Sequence, residues 1–171
     1  ADASSARRLA NRVLDNPELC YIRFDRHDQP ELPVTNFKED LTYRLIGDIV
    51  TPNKVLLIGS GKMSHIVSDV YNNRQMSVVG VDLIRAKPFP NTLKILIEQA
   101  KGVVVIDEQT PSGSLGAAVL EEMAKENLLN KKVKVITLPE EYLFENGGRE
   151  YLLKKHGLSA ENVEKVLNDN F

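Results

Sequence analysis

The stretch KVLLIGSGKMSHIVSDVYNN, residues 54–73, decides the fold of this chain. It opens with a continuous apolar run, VLLIG, which is typical of a strand buried on both faces of a parallel sheet. Glycines at the end of that run indicate a tight turn, and Ile66, Val67 and Val70 then lie on one side of a helix. A buried strand followed directly by a helix is the repeating unit of a parallel α/β sheet.

The same unit recurs along the chain. Three further apolar runs predict strands: SVVGVDLI (77–84), KGVVVIDE (101–108) and KKVKVITLP (131–139). Four segments predict helices: NTLKILIEQA (91–100), LGAAVLEEMAKENLL (115–129), REYLLKKHG (149–157) and SAENVEKVLNDNF (159–171), the last with Ser159 as its cap. Alternating strands and helices predict a three-layer α/β domain with a largely parallel sheet of about five strands.

The residues before this domain form a separate unit in the sequence. Apolar residues at helical spacing predict an amphipathic helix over 4–15, and LCYIRF (19–24) predicts a strand. Residues 1–33 are therefore interpreted as a small helix-strand unit at the N-terminal side of the domain. Residues 34–53, with one or two weak strands around Gly47, are interpreted as a linker to the domain at 54–171.

Composition and charge exclude several classes of protein. Apolar residues make up 42% of the 171 residues and charged residues 27%, which is ordinary for a soluble domain. The net charge of −2 gives no electrostatic footprint for nucleic acid or an anionic membrane surface. No apolar run reaches the length of about 20 residues that spans a bilayer. A single cysteine, Cys20, excludes an internal disulfide and fits a cytoplasmic location.

The turn after the first buried strand resembles a dinucleotide-binding fingerprint in part. Gly59 and Gly61 lie between strand and helix, and Asp82 ends the next strand, where an acid could accept ribose hydroxyls. The third glycine of that fingerprint is replaced by Ser64. Because any parallel sheet needs tight strand-to-helix turns, the glycines are interpreted as turn residues, with NAD binding as the alternative.

Other candidate groups do not form a catalytic set. Asp107 and Glu108 are adjacent on a strand and therefore point to opposite faces, so they are not an acid/base pair. The three histidines are far apart in sequence and lack metal-ligand spacing. Cys20 lies within a predicted apolar strand and is expected to be inert.

The segment FDRHDQPELP, residues 24–33, is the strongest candidate for a binding site. It places Arg26 where the predicted strand leaves its sheet, between Asp25 and Asp28 and ahead of two prolines. An arginine there can offer its planar guanidinium to a phosphate. An ion pair between Arg26 and Asp25 or Asp28 is the alternative that the spacing allows.

Four segments, in order, carry a resemblance to a known family: VLLIGSGKMSHIV, VVGVDLIRAKPFP, GVVVIDEQTPSGSLGAAVLEEMA and EYLFENGGREYLLKKHGL. They resemble successive parts of the C-terminal domain of the transketolase family, and residues 1–33 resemble the end of its pyrimidine-binding domain. The resemblance extends over nearly the whole chain. It is shared by transketolase, deoxyxylulose-phosphate synthase and the beta subunit of 2-oxo-acid dehydrogenases.

The resemblance implies a role for Arg26. In transketolases the arginine of a comparable S-R-Q-N-L-P segment binds the phosphate of the sugar substrate. Arg26 stands at that position here, with Asp25 in place of the serine. The family likeness implies no catalytic residue in this chain.

The resemblance also implies what the intact enzyme would need. Thiamine diphosphate and magnesium would be bound by segments preceding Ala1, and none is expected to be bound by this chain. The chain would then be a fragment or subunit of a transketolase that transfers a two-carbon ketol unit between sugar phosphates. Its expected partners are the missing N-terminal domains or a partner subunit, with assembly as a homodimer; alone, it is expected to be inactive.

Three alternatives to a transketolase stay open on the sequence. Two are siblings within the family, a deoxyxylulose-phosphate synthase and the beta subunit of a 2-oxo-acid dehydrogenase. The third belongs to another class, a stand-alone NAD-binding regulatory domain built on Gly59, Gly61 and Asp82.

Overall fold

A single sheet forms the centre of the computed structural model, which describes residues 1–33, 36–38, 41–48 and 50–171. Among these residues the sheet has six strands: β1 (Phe37–Lys38), β2 (Tyr43–Ile46), β3 (Val55–Gly59), β4 (Val78–Leu83), β5 (Gly102–Ile106) and β6 (Lys132–Ile136). Their order across the sheet is β1-β2-β4-β3-β5-β6. The four strands β3 to β6 run parallel to one another, whereas β2 pairs antiparallel with β4 and β1 pairs antiparallel with β2.

Helices cover both faces of this sheet. They are α1 (Ala3–Asp15), α2 (Met63–Arg74), α3 (Asn91–Gln99), α4 (Leu115–Lys125), α5 (Gly148–Lys155) and α6 (Ala160–Asn170). Side chains of α3 and α4 share one apolar cluster with Leu56 and Ile58 of β3. Side chains of α2, α5 and α6 share the other cluster with Val55 and Leu57. Successive residues of β3 thus face opposite layers, as the alternation of side chains along a strand requires.

The predicted three-layer α/β fold is confirmed, with six strands where about five were expected. Every residue of β3, β4 and β5 is buried, which explains why these strands appear in the sequence as continuous apolar runs. The edge strand β6 is partly exposed and alternates lysine with apolar residues. The helix predicted over 4–15 is confirmed as α1, and the side chain of Ser159 caps α6 as predicted.

The strand predicted over 19–24 is wrong. These residues form no regular element, and the side chains of Leu19 and Tyr21 are almost fully exposed. A strand needs a neighbouring backbone to accept and donate its hydrogen bonds, and no described residue pairs with this segment. Cys20 is consequently exposed rather than packed in a sheet.

The predicted linker over 34–53 lies partly outside the described residues. Within it, Tyr43–Ile46 forms β2, which lies between β1 and β4 and is buried along its whole length. This part of the segment therefore belongs to the sheet. The division of the chain at residues 33 and 53 otherwise stays a prediction.

Candidate functional site

The candidate site lies at the carboxyl ends of the parallel strands, the edge at which open α/β sheets bind ligands. Here the first turn of α5 approaches the loop that follows β5 and also the segment around Arg26. Contacts of Arg149 with Glu108 and with Asp25 join the three parts. A further ion pair of 2.7 Å, between Lys62 Nζ and Glu150 Oε1, links the loop after β3 to the same turn of α5.

A compact turn presents Arg26. The Asp25 carboxylate accepts a hydrogen bond from the backbone N–H of His27 at 3.2 Å and one from the side-chain amide of Gln29 at 3.4 Å. An aspartate that binds the backbone two residues ahead fixes the turn locally. Arg26 itself is exposed, and its guanidinium forms no hydrogen bond or ion pair with the described residues.

Asp25 pairs with Arg149 instead of Arg26. Arg149 Nη1 lies 2.8 Å from Asp25 Oδ2 and 3.1 Å from Oδ1. Burial alone would raise the pKa of Asp25, but the hydrogen bonds from Arg149 and His27 outweigh it and lower that pKa below its ordinary 3.8. The ion pair of Arg26 with Asp25 or Asp28, the alternative interpretation from sequence, does not form among the described residues.

Arg149 also binds Glu108, through the Nε and Nη2 atoms of its guanidinium. Its Nε lies 2.7 Å from Glu108 Oε1 and its Nη2 lies 2.6 Å from Oε2, the bidentate geometry that arginine favours with carboxylates. The neighbouring Asp107 serves a different partner, since its Oδ2 accepts the backbone N–H of Leu115 at 2.6 Å. The two carboxylates therefore act separately, in agreement with the sequence prediction that they form no acid/base pair.

Sequence reasoning did not identify Arg149. A signal was present, because a cation in the first turn of a helix opposes the helix dipole and needs compensation from acidic neighbours. Its two partners are 41 and 124 residues away, however, so spacing along the chain could not indicate them.

Asp82, the acid of the suspected dinucleotide fingerprint, is completely buried, and both of its carboxylate oxygens accept hydrogen bonds. Its Oδ2 accepts hydrogen bonds from Arg44 Nε and Nη2 at 2.9 and 2.7 Å, and its Oδ1 accepts one from Ser64 Oγ at 2.6 Å. A Cβ on Gly59 would lie 2.9 Å from the Met63 backbone, so this glycine is needed for the tight turn. The carboxylate is thus unavailable to a ribose, which argues against NAD binding.

The same arginine holds the N-terminal helix. Arg44 Nη1 lies 2.8 Å from Asp2 Oδ2, and Asp2 also accepts the backbone N–H groups of Ser5 at 2.8 Å and Leu32 at 3.0 Å. Burial would raise the pKa of Asp2, but these hydrogen bonds together lower it far below its ordinary value. We call Asp2, Arg44, Ser64 and Asp82 the Arg44 network; it fastens α1 and residue 32 to the sheet.

A cavity of about 250 Å³ lies beside this network. It is enclosed by α1, the segment 23–29 and the ends of β3 and β4, and Arg23, His27 and Asp28 contribute polar groups to its wall. Among the described residues no cluster of three or more His, Cys, Asp or Glu side chains could hold a metal ion. Arg26 is exposed and is not among the residues that line this cavity.

No helix in the described part of the chain combines the length and the apolar character needed to cross a bilayer.

Comparison with known proteins identifies the family. Residues 49–163 match the family model described as transketolase, C-terminal domain. A 1-deoxy-D-xylulose-5-phosphate synthase of Syntrophotalea carbinolica is 34% identical over 103 residues, which are 60% of this chain and 16% of that protein. The corresponding enzyme of Clostridium kluyveri is 32% identical over 136 residues, which are 75% of this chain and 21% of that protein. The chain thus spans about a fifth of the length of the curated relatives it matches.

Solved structures show the same fold. A chain described as "Split gene transketolase, inactive beta4 tetramer" superposes with a TM-score of 0.78 at 22% identity, over 99% of this chain and 54% of that one. A transketolase from Campylobacter jejuni superposes with a TM-score of 0.55 at 16% identity, over 78% of this chain and 20% of that one. With the family model matching two thirds of its residues, this chain belongs to the transketolase C-terminal domain family.

Proposed function

We propose that this chain is the C-terminal part of a thiamine diphosphate-dependent enzyme that transfers a two-carbon ketol unit between sugar phosphates, and that Arg26 binds the substrate phosphate. The observation that carries the proposal is the state of Arg26. The Arg26 side chain is exposed, while Asp25, which precedes it in the chain, is bound by Arg149.

The chemistry of Arg26 suits a phosphate. An arginine whose planar guanidinium has no acidic partner can form two parallel hydrogen bonds with phosphate oxygens, and both are strengthened by charge. The turn that carries it is held by Asp25, so less conformational freedom is lost when the phosphate binds.

The thiamine diphosphate expected for the family would be held outside this chain. When bound, it supplies the carbanion chemistry of the reaction, and the protein supplies position and electrostatics. In this proposal the residues of the chain orient the phosphorylated end of the substrate and complete the assembly. The cytoplasm, where sugar phosphates are found, is the expected location.

The exposed apolar segment supports the proposal that a further domain or a partner subunit completes the enzyme. Leu19, Tyr21 and Phe24 present large apolar side chains to solvent on a segment that has no backbone partner in the part of the chain that the structure describes. In this proposal the remainder of the pyrimidine-binding domain, or a partner subunit that carries it, covers them, and two copies of the C-terminal domain form a homodimer. The related split-gene transketolase, described as an inactive tetramer of beta chains, is consistent with a separate partner.

A second candidate function is favoured by the curated relatives. The two described above are both named 1-deoxy-D-xylulose-5-phosphate synthase. Transfer of ketol units from a ketose phosphate would support the transketolase, and formation of 1-deoxy-D-xylulose 5-phosphate would support the synthase. Oxidation of a 2-oxo acid that requires a lipoyl protein would instead identify a dehydrogenase subunit.

The intact mass of the native protein and its co-purifying partners should be measured first. A much longer polypeptide, or a tight partner that carries thiamine diphosphate, supports the proposal. A lone chain of 171 residues that is active without either would contradict it, and saturable NAD binding by that chain would support the remaining alternative.

Arg26→Ala in that intact enzyme is expected to raise KM for a phosphorylated substrate. A hydrogen bond to a charged group contributes about 1.5–3 kcal/mol, so the expected increase is about 10- to 100-fold. KM for the dephosphorylated counterpart should change little. Arg7→Ala, on the exposed surface of α1, is the matched control. Equal KM values for the Arg26→Ala variant and the unmodified enzyme would remove the proposed role.

A further inference from the structure

Among the described residues, the hydrogen bonds and ion pairs that join the turn at residues 25–29 to other elements are those of the Asp25 carboxylate. Asp25 binds the backbone of His27 and the side chain of Gln29 on one side and Arg149 on the other. The turn itself is exposed and contains no regular secondary structure. Since such a turn has many accessible conformations, the direction of the Arg26 side chain depends on what holds Asp25.

Arg149 connects this carboxylate to the rigid part of the fold. It lies in the first turn of α5 and binds Glu108, which follows the fully buried strand β5 by two residues. Four hydrogen bonds of 2.6 to 3.1 Å join its guanidinium to the two carboxylates. The order of contacts is therefore β5, Glu108, Arg149, Asp25 and then the turn of Arg26.

Electrostatics give the same contacts a second effect. Without Arg149, the Asp25 carboxylate, adjacent to Arg26 in the chain, would be free to pair with the exposed guanidinium of Arg26. An intramolecular ion pair would then compete with a phosphate for the arginine. By binding Asp25 with both Nη1 contacts, Arg149 leaves Arg26 without that partner.

We infer that Arg149 is a positioning residue for phosphate binding, which acts through Asp25 to orient Arg26 and to keep it available. The inference rests on the proposed function, because it assigns a residue that supports the phosphate site. Three nitrogens of Arg149 already donate to Glu108 and Asp25, so we assign it the orienting role rather than the phosphate contact.

The test uses the intact enzyme and compares kcat/KM for a sugar phosphate with kcat/KM for its dephosphorylated counterpart. Arg149→Ala is expected to lower this ratio about five- to tenfold, since its effect on the phosphate is indirect and the net contribution of a typical hydrogen bond has that scale. Arg149→Lys keeps the charge without the bidentate fork and should give an intermediate ratio. Arg74→Ala removes a comparable half-exposed arginine paired with Glu164 on α6 and should leave the ratio unchanged.

A double variant separates positioning from an independent contribution to binding. If Arg149 acts only through Arg26, the variant with both arginines replaced by alanine should be no worse than Arg26→Ala alone. The inference would be overturned if the two single-variant effects on the ratio multiplied in the double variant, or if the ratio were unchanged in Arg149→Ala. Either result would leave the phosphate role of Arg26 standing. An unchanged ratio in Arg26→Ala would overturn the proposed function itself, and the inference with it.

A further variant keeps the test decisive if Arg149→Ala does not yield folded enzyme. Glu108→Gln retains Arg149 but weakens its hold on β5, and it should lower the ratio by a smaller factor in the same direction. A ratio unchanged in Glu108→Gln, with an unchanged melting temperature, would count against the inference.

Discussion

At the scale of single residues, the most unusual side chain is a buried arginine inside the sheet. Arg44 is 1% exposed in β2 and contacts two carboxylates, Asp2 and Asp82, which are themselves buried. A charge that is removed from water is tolerated only with close opposite charges and satisfied hydrogen bonds. The arginine therefore determines how β2, β4 and α1 meet.

Arg44→Met is expected to destabilise the chain by about 3–5 kcal/mol, because it leaves two buried carboxylates without their cation. Urea-induced unfolding, monitored by far-ultraviolet circular dichroism, measures the change. Arg74→Met removes a half-exposed ion pair at 3.4 Å and should cost about 0–1 kcal/mol. Equal losses in the two variants would show that the Arg44 network contributes no more than a surface pair.

At the scale of elements, α1 is attached to the sheet through Asp2. The helix presents a single buried residue, Ser5, so apolar packing of its own face contributes little. Its attachment depends on the Asp2 carboxylate, which accepts hydrogen bonds from Ser5, Leu32 and Arg44. Docking of this element should therefore respond to protonation of one group.

The pH dependence of stability should reveal this attachment. Because folding lowers the pKa of Asp2, the carboxylate stabilises the folded state above its ordinary value of 3.8, and that stability is lost as the pH falls below it. The free energy of unfolding, measured in urea from pH 7 to pH 3, should fall more steeply in the unmodified chain than in Asp2→Asn. Asp15→Asn, at an exposed position at the other end of α1, should follow the unmodified chain. Parallel curves for Asp2→Asn and the unmodified chain would refute the attachment.

The elements also show how far sequence reasoning reaches. Strands β3 to β5 could be predicted because burial on both faces makes them apolar throughout, and glycines or prolines mark their ends. The segment 19–24 has an equally apolar composition but forms no strand, because strand formation requires a partner that composition does not report. In β2, a buried arginine interrupts the apolar pattern, and its counter-charges lie 38 and 42 residues away.

The candidate site likewise contains one residue that the sequence could indicate and one that only the structure reveals. Arg26 could be located from its position in a family-like segment, since the resemblance is local in sequence. The contact of Arg149 with Asp25 could not, because it joins residues 124 positions apart through the geometry of the whole sheet edge. Local motifs thus indicate a candidate binding residue, whereas the residues that contact its turn emerge only from the fold.

At the scale of the whole molecule, the segment 19–24 presents an exposed apolar surface. Tyr21 and Phe24 are exposed beside Cys20, within a region of the sequence that the family model does not cover. Large apolar side chains that are contiguous and exposed indicate a surface that another protein segment covers. The proposed occupant is the rest of the pyrimidine-binding domain, which makes the thiol of Cys20 a reporter of assembly.

Alkylation of Cys20 should therefore be slower in the intact assembly than in this chain alone. A thiol on an exposed segment reacts when its thiolate meets the reagent, and burial in an interface removes that access. We expect the alkylation rate of Cys20, measured by mass spectrometry of its peptide, to be lower by about tenfold or more in the assembly. There the reaction requires local opening, which costs at least about 1.4 kcal/mol. Modification of the exposed Lys165, followed in the same samples with an amine reagent, controls for reagent loss and should proceed alike in both. Equal rates at Cys20 would mean that the segment stays uncovered, and the proposed docking of a further domain against residues 19–24 would have to be abandoned.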